Sequence, residues 1–248
     1  MTDKYFSTRR TIRNFTKQSV PDSLIEEILE EASHAPTTGN MQLYSVIVTR
    51  DPELKNKLVP CHFNQPASTG AAVLVTFCVD LNRFEKWCFQ RKADPGFNNL
   101  QSFMSGVFDT TILAQQFCTV AELRGLGTCY LGTTTYTAPQ IAEILNLPQR
   151  VVPLLTVALG YPSDNGSASD RLPLSAIIHY EKYHDYSSDD IDNAYCYKES
   201  LEESDGFIKE NGKETLAQVF TDVRYPKDNN EIFSEVLLKF LRDNKFGI

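Results

Sequence analysis

Apolar positions recur at helical spacing in PDSLIEEILEEASHA, where Leu24, Ile25, Ile28, Leu29 and Ala32 share one face and Asp22 or Ser23 stands where an N-cap belongs. Pro36 closes that segment. YSVIVTR (44–50) and AAVLVTFCV (71–79) are short, β-branched and continuously apolar, the pattern of strands covered on both faces. A helix is predicted from DPELKNKLV after the first strand, and another over LNRFEKWCFQRK (81–92), broken by DPGFNN (94–99). The longest helical stretch, 102–124, is apolar almost all round, which places it at the centre of a core or between two subunits. GLGTCYLGT then reads as turn, strand and turn, APQIAEILNL as a helix, and VVPLLTVALGYP as a fourth strand. This alternation leaves α+β and α/β architectures both open. Beyond Pro173, residues 180–215 are polar without sustained periodicity, and only IFSEVLLKFL (232–241) returns to a helical pattern. Such a tail has little core of its own and must pack on the main body or on a partner subunit.

Composition sharpens this picture in three ways. A chain of 248 residues with 42% hydrophobic content is long enough for one sizeable domain, or one domain with an appendage. Its net charge of -8 argues against a nucleic-acid surface, which needs a broad basic stripe. Neither a run long enough to span a bilayer nor a leader pattern after Met1 is visible, so the expected location is cytoplasmic. The six cysteines are scattered with no CxxC pair, which predicts buried free thiols and a reducing compartment.

Against that acidic background one stretch stands out. Five basic residues and no acid lie between Lys4 and Lys17, three of them in RRTIRNF. Arg9 and Arg13 converge whether the segment is helical or extended, and the Thr11 hydroxyl adds a compact donor beside them. Guanidinium forks match phosphate oxygens, so the cluster reads as a local anion site. The alternative is a solvated face pairing with the acidic helix EEILEE. A second stretch, APTTGNMQLY, joins the first helix to the first strand and carries the side-chain amides of Asn40 and Gln42. Paired amide donors and acceptors match the edge of a uracil-like ring, although the stretch also reads as an ordinary loop. No Ser-His-Asp set, paired acids or metal cluster is visible. His34, His62, His179 and His184 are isolated and receive no catalytic role.

Taken in order, STRRTIRNF, the helix after it and the APTTGNMQLY loop resemble the FMN-dependent nitroreductase family. NQPASTGAAVLVTFCVDLNR (64–83) resembles the corresponding segment of the family's NADPH-preferring flavin reductase and oxygen-insensitive nitroreductase branch. GLGTCYLGT and GYPSDNGSASDRLP follow at fitting distances, so the resemblance covers about residues 5–180. It implies an α+β fold with a central, mainly antiparallel sheet flanked by helices. It further implies an FMN-binding domain over 1–175 and a C-terminal extension with a terminal helix over 176–248, packed on the body or a partner subunit.

The resemblance also distributes roles. Arg9, Arg10 and Arg13 with Thr11 would hold the FMN phosphate, and Arg171 would close over it; Ser169 stands where this branch often has a Lys. Thr37, Thr38, Asn40, Met41 and Gln42 would line the ribityl chain and pyrimidine, and Gln65 would meet the polar edge of the ring. Tyr130, Leu131, Gly132 and Thr133 would bring backbone N–H groups close to the flavin. The implied reaction is ping-pong: hydride passes from a nicotinamide to flavin N5, then electrons pass to a nitroaromatic, a quinone or free flavin. The cofactor carries that chemistry, so no catalytic side chain and no metal is expected. NADPH is expected to be preferred over NADH, with Arg224 and Lys227 as candidate contacts for its extra phosphate, and the chain is expected to be a homodimer acting on a small-molecule acceptor. Two alternatives remain at this stage: a non-catalytic FMN storage or sensor protein of the same fold, and an interaction protein that binds no flavin.

Overall fold

The structure, a computed structural model, describes residues 4–248. The chain runs through a single turn α1 (Tyr5–Thr8) into α2 (Asp22–Ser33), β1 (Tyr44–Thr49), α3 (Pro52–Leu58), the short α4 (Pro66–Gly70) and β2 (Val73–Asp80). There follow α5 (Asn82–Gln90), α6 (Leu100–Leu123), β3 (Gly127–Leu131), α7 (Ala138–Ile144) and β4 (Val151–Gly160). All four predicted strands are present, in the order β1-β2-β4-β3, and each neighbouring pair is antiparallel. The choice between α/β and α+β therefore falls to α+β, as the resemblance implied.

The continuous apolar run of β2 has a simple physical origin. Val73, Val75 and Phe77 point to one side of the sheet and meet Ile25, Ile28, Leu113 and Phe117 of α2 and α6. Leu74 points to the other side and packs with Leu58, Ala67, Cys129, Leu131 and Ile141. Both faces are covered, so polar alternation never appears in the sequence. Phe77 and Phe117 meet edge to face with ring centroids 5.3 Å apart.

Helix ends differ from expectation by small amounts with identifiable causes. α2 begins at Asp22 after Pro21, without a side-chain cap, and Asp22 instead pairs with Arg50 at 2.6 Å. α6 starts at Leu100 because Asn99 caps it, accepting from the Ser102 backbone N–H at 3.0 Å.

Contacts divide the chain into two compact units, one of residues up to Ser167 together with Phe233–Ile248, the other Ala168–Ile232. The second unit is helical where the polar sequence gave no sign of it: α8 (Ser188–Glu199), α9 (Glu202–Glu210) and a short α10 (Leu216–Gln218) precede α11 (Lys227–Asp243). Caps rather than an apolar stripe define the first of these. Ser187 and Asp190 form a reciprocal capping box, and Ala194 is the only buried residue of α8. Thr215 and Gln218 form a second box at α10. In the first unit, Leu241 and Phe246 from the C-terminus join Leu43, Val79 and Phe103 in a third apolar cluster. Among the described residues no helix is long and apolar enough to cross a membrane.

Candidate active site

The basic N-terminal segment is anchored at the start of β3 and pairs with the chain that follows β4. Ile12 donates its backbone N–H to the Thr128 carbonyl at 3.1 Å, and Thr16 donates to the Tyr161 carbonyl at 2.8 Å. Bridges Thr11↔Ser167 and Phe15↔Pro162 extend the pairing on the other side. Ile12 is buried directly over Gly127, where an added Cβ would lie 2.7 Å from its own Cβ. Gly166 closes the opposite wall with φ +60, and a Cβ there would meet the Thr11 carbonyl oxygen at 2.7 Å.

This bedding creates an open cleft of about 310 Å³ lined by Thr11, Arg13, Asn14 and residues 164–167. Asn14 donates to Asp164 Oδ2 at 2.7 Å and the Gly166 N–H donates to Oδ1 at 2.8 Å, which together hold the Asp164 carboxyl below the usual range. Arg13 makes no hydrogen bond or ion pair among the described residues, and Arg10 has a single contact, 3.5 Å to the Asn165 carbonyl. Arg9 is differently placed. Its Nη2 lies 2.9 Å from Glu122 Oε1, a carboxylate that also accepts from Tyr5 and Thr128. The acidic helix α2, the alternative partner for these arginines, is instead paired with Arg124 through Glu27 and Glu31 and with Arg50 through Asp22. Burial pushes the Cys129 thiol upward in pKa, and the guanidinium groups of Arg13 and Arg9 partly oppose this, so both charges converge beside β3.

β3 leads away from this cleft to the second group of expected residues. From Thr128 to Leu131 is about 10 Å at the usual strand rise, and a 3-10 turn, Gly132–Thr135, follows. Tyr130 and Gly132 are exposed, Leu131 is buried, and Thr133 is nearly so. The turn is held hard: Thr134 Oγ1 donates to the Leu131 carbonyl at 2.9 Å, and Thr137 Oγ1 donates to the Cys61 carbonyl at 2.9 Å. Gln65 is brought to the same place, since its N–H donates to the His62 carbonyl at 3.1 Å and His62 Nδ1 lies 3.0 Å from Thr133 Oγ1. His62 is fully buried, and burial pushes its pKa from 6.5 down to about 4.

Residues 37–42 form the third group. Thr38–Asn40 make a single 3-10 turn, with Gly39, Asn40 and Gln42 all at positive φ. The buried Asp109 of α6 clamps both ends, accepting from the Thr38 N–H at 2.7 Å and from the Leu43 N–H at 3.2 Å. Gln42 Nε2 donates to Asn40 Oδ1 at 3.1 Å, and Met41 is half-buried against the third cluster. The loop enters β1, the sheet edge opposite β3, three strand spacings or about 14 Å away. Along α6, Asp109 and Glu122 are separated by about 20 Å at the helical rise per residue. The chain therefore places Thr11 and Arg13 in a cleft at the start of β3, brings Thr133 and Gln65 together beyond its other end, and carries residues 37–42 at the opposite sheet edge.

Arg171 belongs to the second unit, where its guanidinium turns back to the Ser169 and Asp170 carbonyls at 3.2 and 2.8 Å. Nearby, Lys198 of α8 pairs with Asp170 at 2.8 Å. Arg224 lies over the rings of Phe207 and Phe220, 4.2 and 5.1 Å from their centroids, and Lys227 stands 3.8 Å from Glu231.

Asp109, Glu122 and His62 are the residues sequence reasoning missed. A lone acid inside the apolar run FMSGVFDTTILAQQF was the available sign for Asp109. His62 carried none.

The sheet is antiparallel, with a cationic cleft at one end of its edge strand and a clamped polar turn at the other. The nitroreductase family model matches residues 6–161, and the chain belongs to that family. It is 33% identical to an oxygen-insensitive NADPH nitroreductase of Salmonella typhimurium, over 70% of this chain and 71% of that one. It is 32% identical to an FMN reductase (NADPH) of Bacillus subtilis, again over 70% and 71%. A solved structure from Bacteroides fragilis is 52% identical with a TM-score of 0.96, covering 98% of this chain and 99% of the other.

Two expectations follow from the geometry. Asp109→Ala removes the acceptor of two loop N–H groups, each costing about 1–3 kcal/mol when left unpaired. Amide exchange at Thr38 and Leu43 should accelerate while β2 stays protected; unchanged protection at both would contradict the clamp. For His62, the folded pKa lies below the unfolded one, so the folded state binds fewer protons between about pH 4 and 6.5. Its contribution is complete above about pH 6.5 and declines as the pH falls toward 4, by about 3 kcal/mol at most. Urea unfolding at about pH 7 and about pH 4.5 should show a smaller loss for His62→Asn than for the wild type, and equal losses would contradict the assignment.

Proposed function

We propose that the chain is an FMN-dependent NAD(P)H oxidoreductase that reduces nitroaromatics, quinones or free flavin. The observation that carries this reading is the Arg13 guanidinium, without a hydrogen bond or ion pair among the described residues, lining a cleft with Thr11 in a chain of net charge -8. A free cation and a hydroxyl in one cleft fit a phosphomonoester, and Arg10, whose one contact is 3.5 Å to the Asn165 carbonyl, adds a second charge close by in the chain. The residues present therefore fit FMN, with the phosphate at Thr11 and Arg13 and the ring toward the far end of β3.

Bound FMN supplies a ring that accepts hydride from a nicotinamide and passes the electrons on. The chain's own residues hold and screen it. Arg10 and Arg13 neutralise the phosphate, Glu122 fixes Arg9 beside them, and Gly132 lets backbone approach the ring without a side chain in the way. Gln65 meets the polar edge of the ring.

The homodimer belongs to the same proposal. α6 buries one face in the core yet leaves Leu100, Phe108, Ile112 and Leu123 exposed on the other, beside a cleft of about 620 Å³ lined by Phe6, Ile112, Thr119 and Val120. A second copy covers this apolar face. Residues 37–42, held at the opposite sheet edge from Arg13, complete the flavin site of the partner. NADPH is the preferred donor.

The protein should purify yellow and oxidise NADPH faster than NADH with a quinone as acceptor; bound FMN without turnover would favour a storage or sensor role instead. Arg13→Ala should weaken FMN binding about ten- to a hundredfold, the loss of one charge-assisted bond worth about 1.5–3 kcal/mol, and an unchanged affinity in flavin titration would remove the cluster from the phosphate site. In sedimentation the wild type should run as a dimer and Phe108→Glu/Ile112→Glu as a monomer, whereas a wild-type monomer of 28.0 kDa with FMN bound would contradict the shared site.

A further inference from the structure

The cleft that takes the phosphate in the reading above also carries an acid, since Asp164 lines it together with Thr11 and Arg13. Coulomb attraction draws a carboxylate and a guanidinium in one small cleft together. Among the described residues, however, Asp164 forms no ion pair with either Arg13 or Arg10, and Arg13 has no partner at all.

Two anchors hold the carboxylate away, one on each oxygen. The Gly166 N–H donates to Oδ1 at 2.8 Å across a turn of Asp164's own chain segment. The Asn14 side chain donates to Oδ2 at 2.7 Å from the opposite wall. An ionised carboxylate only accepts, so the amide nitrogen of Asn14 and not its oxygen faces Asp164. The same two bonds, that of Asn14 first, hold the Asp164 carboxyl below its usual range and so keep it ionised at neutral pH.

Asn14 itself is placed by its backbone. Ser163 donates its N–H to the Asn14 carbonyl at 3.1 Å, and the adjacent Phe15 packs on Gly160, where an added Cβ would lie 3.0 Å from Phe15 Cδ1. The amide therefore plays no part in fixing the segment, and its one hydrogen bond among the described residues goes to Asp164. We infer that Asn14 is a positioning residue that holds Asp164 off Arg13, so that the guanidinium stays open to the phosphate of a bound ligand. This rests on the flavin reading above.

The sign of each effect follows from charge. Without the amide, Oδ2 turns to Arg13, and a phosphate must break that ion pair before it binds. Asn14→Ala should therefore weaken FMN binding about two- to fivefold, the worth of one exposed ion pair. Asp164→Ala should bind FMN at least as tightly as the wild type, because a negative charge leaves the cleft. In that background Asn14→Ala should cost nothing further. Both residues are exposed, so the variants keep the fold.

The test has two arms. A crystal structure of ligand-free Asn14→Ala should show Asp164 Oδ2 within about 4 Å of the Arg13 guanidinium, and a carboxylate still clear of Arg13 would overturn the inference without reference to flavin. FMN titrations are then made on wild type, both single variants and the double variant. An affinity unchanged in Asn14→Ala, or a penalty that persists in full once Asp164 is gone, overturns this inference alone and leaves FMN binding intact. A wild-type chain that takes up no FMN overturns the flavin reading and this inference with it.

Discussion

The anchoring of residues 11–16 between the start of β3 and the chain that follows β4 is the constraint on which the site depends. Two backbone hydrogen bonds, Ile12 to Thr128 and Thr16 to Tyr161, fix the register of that segment. A one-residue slip would turn Ile12 out of its place over Gly127 and reverse the side to which Thr11 and Arg13 point. Register is thus set by an apolar contact, and the positive charge is carried along with it. Gly166 supplies the matching wall, since any side chain there would collide with the Thr11 carbonyl and strain a left-handed backbone.

The same economy governs the rest of the site. Glu122 holds Arg9 and Asp109 holds the loop at 37–42, and both are acids on the one long helix that packs against the sheet. Rigid elements therefore carry every group that orients a polar segment. Because the two acids lie about 20 Å apart along α6, the two groups of candidate residues they orient are well separated on a single chain. That separation and the exposed apolar stripe on α6 are two independent reasons for a second copy.

Much of this was legible in the sequence, for physical reasons that differ from element to element. The strands announced themselves because both sheet faces are covered, so β2 is apolar throughout. The arginine cluster was visible because it contrasts with an acidic chain. α8 and α9 were not visible, since each buries a single residue, Ala194 and Ser204, and a capping box rather than an apolar stripe starts α8. The engagement of Arg9 by Glu122 was also invisible, because the two are brought together by the sheet and lie 113 residues apart. His62 was dismissed as an isolated histidine. Its complete burial beside Thr133 comes from tertiary packing that no local pattern announces.

The central claim is that FMN lies along β3 with its phosphate at the Arg13 cleft and its ring at the Gly132–Thr133 turn, across from the partner's loop. A crystal structure of the FMN-loaded protein tests this most directly. The account predicts phosphate oxygens within hydrogen-bonding distance of Arg13 and Thr11, the ring beside Gly132, and residues 37–42 of a second copy against the same flavin. A phosphate bound elsewhere, with the cleft between Thr11 and Gly166 filled by solvent, would contradict it.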